Sequence, residues 1–179
     1  ILRYTQKQLY DVVSDVNSYH RFVPYCTGSR VVSKPRQDAK SKHDEPYLME
    51  MTVVFLSVRQ TYVSEVWFKP FESVQAVAAS GNSVFKSLQS IWTFQPLIPS
   101  ATSSSTTSKA MTSPPSLVPN ESPQTRVSLE VIFHFQNPLH AALSRAFTDQ
   151  VSHPMIAAFE ERCKVIYGTP SSQTLPRST

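Results

Sequence analysis

Residues 137–168 read NPLHAALSRAFTDQVSHPMIAAFEERCKVIYG, and the pattern in them decides the fold. Asn137 is a good helix N-cap, and Pro138 suits the first helical position because its missing N–H would have no partner there anyway. Apolar residues then recur at helical period: Leu139, Ala142 with Leu143, Ala146 with Phe147, Val151, Met155, Ala158 with Phe159, Cys163 and Ile166. The opposite face carries Ser144, Arg145, Asp149, Ser152, Glu160, Glu161 and Lys164. Gly168 can supply the left-handed residue that ends the helix, and Pro170 prevents its restart. At a rise of 1.5 Å per residue such a helix would be roughly 45 Å long. It needs a large apolar partner, and the preceding residues supply strands.

Working outward, Arg126 to Phe135 alternates cleanly. Val127, Leu129, Val131, Phe133 and Phe135 face one way, and Ser128, Glu130, Ile132 and His134 the other, as in a half-buried strand. Tyr47 to Phe55 alternates too, with Met49, Met51, Val53 and Phe55 on one face. In Ser57 to Lys69 the shared face is Val58, Tyr62, Ser64, Val66 and Phe68. Shorter strands are expected at Ser29–Ser33 and Val74–Ala79, and a further one at Phe85–Phe94 with Leu88, Trp92 and Phe94 in phase. Pro70-Phe71-Glu72 and Gly81-Asn82 read as turns, and Pro35 to Pro46 as a solvated hairpin loop. Near the start, Thr5-Gln6-Lys7-Gln8 is a capping-box pattern opening a helix to about Val16. Asn17-Ser18 breaks it, and a second short helix is expected from Tyr19 to Val23, stopped by Pro24. Ile1 to Tyr4 reads as the end of a strand.

The order is therefore a strand end, two short helices, about six strands at hairpin spacing and one long helix. Short turns between consecutive strands imply an antiparallel sheet. We expect an α+β domain over residues 1–168 in which a curved antiparallel sheet wraps around the long C-terminal helix. Residues 97–124, rich in Ser, Thr and Pro, read as a disordered insertion between two strands, and 169–179 as a disordered tail.

The chain has 179 residues, of which 40% are hydrophobic, enough for one domain with a real core. The net charge of +4 comes without any Lys/Arg block, which argues against nucleic acid as a partner and leaves an anionic membrane surface compatible. Cys26 and Cys163 have no metal-ligand spacing and read as free thiols of a reducing compartment. No apolar run reaches the length of a membrane span, and no signal peptide is visible.

No catalytic constellation is evident. His20, His43, His134, His140 and His153 lack zinc-like spacing, and neither a Gly-rich phosphate loop nor a nucleophile elbow occurs. We expect no metal and no cofactor. His153-Pro154 falls mid-helix, where the proline removes a backbone hydrogen bond and should kink the helix.

Four blocks resemble a known family: YTQKQLYDVVSDVNSYHRFVPYC (4–26), TYVSEVWFKP (61–70), VFKSLQSIWTFQP (84–96) and AAFEERCKVIYG (157–168). Together they resemble the mitochondrial coenzyme Q-binding proteins, in the START-domain superfamily that also holds polyketide cyclases and a ribosome-associated toxin. The resemblance covers nearly everything outside the insertion and tail. The Ser/Thr/Pro-rich segment and His153-Pro154 depart from it.

The resemblance implies a helix-grip fold with a lipid-sized cavity, and non-catalytic binding of ubiquinone that supports respiratory electron transport. It implies a mitochondrial setting on the matrix side of the inner membrane, with the inner-membrane surface and respiratory-chain complexes as partners. A long isoprenoid tail would protrude or call for a second subunit, so a homo-oligomer is also expected. On this reading the lining residues are Phe22, Val23 and Pro24 at the clasp formed by the short helices. Val53, Phe55, Tyr62, Val66 and Trp92 line the sheet, and Leu143, Phe147, Val151, Met155 and Phe159 line the helix. Tyr62 and Ser64 are the polar groups on an apolar face that could donate to a quinone carbonyl. The clasp, Tyr19–Cys26, is the expected gate. The alternatives are a polyketide cyclase-like enzyme and a ribosome-associated interaction protein of the same fold.

Overall fold

The computed structural model describes residues 1–35, 45–55, 58–78, 85–97, 123–136 and 144–170, with the backbone alone at 55, 58, 85, 135 and 144–152. Helix α1 spans Gln6–Ser14, and a 3-10 helix spans Val16–Arg21. Six strands follow: β1 Cys26–Ser33, β2 Tyr47–Phe55, β3 Val58–Lys69, β4 Ser73–Ala78, β5 Phe85–Leu97 and β6 Gln124–Phe135. Helix α2, Ser144–Tyr167, closes the chain. The strands form one antiparallel sheet in sequence order, β1 to β6. Leu2 extends it, exchanging both backbone hydrogen bonds with Thr125 of β6 at 2.9 Å. The strand end expected at residues 1–4 is thus present.

The capping box forms as its residues dictate. Thr5 Oγ1 accepts from the Gln8 amide at 3.1 Å, and Gln8 Oε1 accepts from the Thr5 amide at 2.8 Å. Leu9, Val12 and Val13 turn one face of α1 into the core. The Gln6 side chain donates to the Phe94 carbonyl at 3.0 Å, tying α1 to β5. At the far end of the chain the Tyr4 hydroxyl donates to the Gly168 carbonyl at 3.0 Å. Gly168 adopts φ 81, the left-handed cap read from its sequence.

Some boundaries differ from expectation. The second short helix is a 3-10 turn over Val16–Arg21 rather than Tyr19–Val23, and it includes the Asn17-Ser18 pair expected to break it. Asn17 is there because its side chain serves β1, accepting from the Val31 amide at 3.0 Å. Ser29 Oγ likewise accepts from the His20 amide at 3.1 Å, so the 3-10 turn covers the open edge of β1. Strand β1 begins three residues before Ser29, across a register shift at Cys26/Gly28. Leu97 and Gln124, expected as the edges of the insertion, are strand residues standing opposite each other. The segment between them, the Gly81-Asn82 turn, the helix start at Asn137-Pro138 and most of the hairpin loop lie outside the described residues. Helix α2 continues through Pro154; His153 and Pro154 are both exposed, so the missing bond falls toward solvent. Ile166 continues the apolar stripe but is 45% exposed, although the neighbouring Tyr167 ring still meets Tyr4 at 6.4 Å.

Candidate ligand-binding face

Antiparallel partners point their side chains to the same face, so the ladder registers map the inner surface of the sheet. Successive rows read Phe68–Val74–Trp92–Leu129, then Tyr47–Val66–Ala76–Ser90–Val131, then Val31–Met49–Ser64–Ala78. Ser29–Met51–Tyr62 and Cys26–Val53–Gln60 follow. No Asp, Glu, His, Lys or Arg of the described strands occurs in these rows.

Helix α2 is held against this face by aromatic contacts. The rings of Trp92 and Phe159 have centroids 4.7 Å apart. Phe22 and Tyr19 meet Phe159 edge-on at 5.1 and 5.3 Å. The clasp is thereby locked to both sheet and helix. Tyr19 also donates to the Val13 carbonyl, and burial drives its phenol far above the usual range.

Packing is uneven along the face. Val66, Val74, Trp92, Phe94, Phe159 and Cys163 are buried, and so is Met49. Beyond Met49, Met51, Val53, Gln60 and Tyr62 keep accessible surface, as do Ala78, Leu88 and Phe133. Among the described residues the inner face is thus most deeply buried beneath the clasp and half-buried toward its other end, the open half. Strands β2, β4 and β6 end at that open half, and β3 and β5 begin there.

Tyr62 sits in the open half. It is half-buried, yet burial pushes its phenol up to about 12, with the nearby Cys26 thiol adding to the rise. Ser64, two residues along on the same face, is buried. Neither side-chain hydroxyl has a hydrogen-bond partner among the described residues. Two polar groups without partners, on a face otherwise apolar, are what a ligand with an oxygen acceptor would need.

Of the residues read from the sequence, Val23, Val66, Trp92 and Phe159 are packed core, and Phe22, Pro24, Val53, Tyr62 and Met155 are half-buried. Phe55, Phe147 and Val151 are described in backbone only, and Leu143 lies outside the described residues. The sequence reading passed over Tyr19, Met49 and Met51. The methionines were legible as neighbours of Val53 on the same stripe; nothing in the sequence placed Tyr19 against Phe159. Among the described residues no helix is long and apolar enough to cross a membrane, and no three His, Cys, Asp or Glu side chains gather as for a metal ion.

A six-stranded antiparallel sheet gripping a C-terminal helix over an apolar face defines a START-like fold. Residues 2–160 match the family described as polyketide cyclase / dehydrase and lipid transport, and the chain belongs to that family. The resemblance to the coenzyme Q-binding proteins is borne out within it. A mitochondrial coenzyme Q-binding protein of Xenopus laevis, COQ10 homolog B, is 30% identical over 94% of this chain. The chain spans 57% of that relative's length. A ribosome association toxin of Pseudomonas aeruginosa, RatA, is 25% identical over 94% of both chains. In structure, a START superfamily protein from Mycobacterium smegmatis superimposes with a TM-score of 0.66, covering 92% of this chain and 93% of its own at 11% identity.

Proposed function

We propose that this domain binds ubiquinone without catalysing a reaction, and acts as a quinone carrier in support of respiratory electron transport. The observation that carries the reading is Tyr62, a half-buried phenol on the apolar inner face, in register with Met51, with no hydrogen-bond partner among the described residues. The quinone ring lies against the open half, accepting from Tyr62 and Ser64, and the isoprenoid tail follows the apolar rows. Each buried CH₂-sized group contributes about 0.8 kcal/mol, so an isoprene unit gives roughly 3–4 kcal/mol before ordering costs. A few units suffice for useful affinity. The absence of acid/base side chains from the described inner rows supports binding over cyclase chemistry, and the mitochondrial coenzyme Q-binding relative supports the choice of ligand. By the same analogy the setting is mitochondrial; placement on the matrix side of the inner membrane is a further part of this proposal.

The test is mass spectrometry of an organic extract of the protein purified from a quinone-producing host. Stoichiometric quinone is expected. Another lipid at stoichiometry would keep the cavity and change the cargo. An empty extract from folded protein would favour the interaction role suggested by the ribosome association relative, checked by co-sedimentation with ribosomes at raised salt.

A further inference from the structure

In the inner rows of the described strands the polar groups, Tyr62, Ser64, Cys26 and Gln60 among them, all lack a charge at neutral pH. Those that titrate are held in their protonated, neutral form. Burial raises the Cys26 thiol, whose row adjoins that of Tyr62, and it raises the Tyr62 phenol from 10.0 to about 12. Burial likewise raises the Tyr19 phenol on the clasp and the Cys163 thiol on α2. Tyr47 completes the titratable groups of the sheet rows. Of the charged groups on α2, Glu160 is engaged by Lys164 at 3.3 Å, and the Arg162 guanidinium carbon lies 5.5 Å from the centre of the Phe22 ring, at the clasp end of the face.

We infer, resting on the ubiquinone-binding reading, that this face also keeps bound ubiquinol from being oxidised by dioxygen. That reaction moves two electrons and two protons from the quinol to dioxygen, leaving quinone and hydrogen peroxide. The first electron leaves from the quinolate anion, so a quinol O–H must first lose its proton. A quinol is itself a pair of phenols, and beside Tyr62 it meets the same desolvation, which penalises the anion. The inner rows of the described strands offer no carboxylate or imidazole to take the proton, and no cation to offset the charge left behind. The Tyr62 and Ser64 hydroxyls could donate to a quinolate, but water would offer it as many donors or more. The effect is large: the rise at Tyr62 corresponds to about a hundredfold less phenolate at neutral pH.

The test loads the protein with a short-chain ubiquinol under argon, removes the excess by gel filtration, and follows quinone formation in air with a metal chelator present. The same quinol in nonionic detergent micelles, where the ring sits in the wet interface, gives the reference rate. Bound quinol is expected to oxidise about ten- to a hundredfold more slowly, and its rate to begin rising at a higher pH than the micelle rate. Met51 stands opposite Tyr62 in the ladder. Met51→Arg sets beside the ring a guanidinium that stays charged when desolvated, and should oxidise its bound quinol faster than Met51→Gln, which is polar without the charge. Equal rates for bound and micellar quinol would overturn the inference, as would folded and loaded Met51→Arg and Met51→Gln proteins that oxidise alike. A folded chain that retains no quinol on gel filtration would overturn the ubiquinone-binding reading and this inference with it. Retained quinol that oxidises at the micelle rate overturns the inference alone.

Discussion

The ring of Phe159 on α2 stands 4.7 Å, centroid to centroid, from that of Trp92 on β5. Phe159 also receives Phe22 and Tyr19 edge-on, so one side chain joins helix, sheet and clasp. Phe159→Ala should cost about 3–5 kcal/mol of stability, the usual range for a buried phenylalanine. Urea denaturation of the variant and of Trp92→Ala and the double variant checks this. The two substitutions should couple by about 0.5–1.5 kcal/mol, as close aromatic pairs do. Strict additivity would mean that the contact holds nothing together.

Tyr62 and Ser64 should behave differently. Tyr62→Phe with Ser64→Ala removes two hydroxyls that have no partner among the described residues, so the fold has little to lose. The melting temperature should stay within a few degrees, while bound quinone falls by about tenfold, the effect of losing one or two hydrogen bonds of ordinary strength. Quantifying extracted quinone per folded protein decides it. Retention at the parent level would remove both residues from the site.

The Cys163 thiol, 1% exposed, is pushed up by burial, and next by the Glu160 charge, from 9.0 to about 11. The folded chain thus holds this proton more tightly than the unfolded chain. The stability it contributes is whole below pH 9 and drains away as pH climbs to about 11, a loss on the order of 2 kcal/mol. Cys163→Ala should flatten that alkaline decline when melting temperature is followed against pH. An unchanged slope would assign the decline to other groups.

Thr125 is 1% exposed, and its hydroxyl donates to the Tyr4 carbonyl at 2.8 Å. Thr125→Val keeps the shape but leaves that carbonyl without its donor, at a cost of about 1–3 kcal/mol. Hydrogen exchange should show the loss first at the Leu2 amide, which pairs with Thr125. Uniform loss across the sheet would contradict a local role.

Much of the architecture was legible in local chemistry. Thr5 and Gln8 announced α1, and the alternation in Val127–Phe135 assigned the faces of β6. What eluded the sequence was partnership. Ile166 has the right phase to be buried, but phase cannot say which turns of a helix find a partner across from them. Asn17 has the composition of a breaker, yet its side chain is occupied across space by Val31. Likewise β1 hid its start behind the irregular register at Cys26 and Gly28. For the site, the polar pair on β3 was visible as an interruption of an apolar stripe. The division of the face into a packed and an open half was not, because it depends on where Phe159 and the clasp settle.

The facing pair Leu97 and Gln124 has a practical corollary. Their neighbours continue in register down both strands, so the sheet itself sets the separation of the two chain ends that the intervening stretch must join. Closing such a join becomes only slightly harder as it lengthens, by about 0.6 kcal/mol per doubling. Relatives are therefore free to differ widely in length at this point while keeping one scaffold.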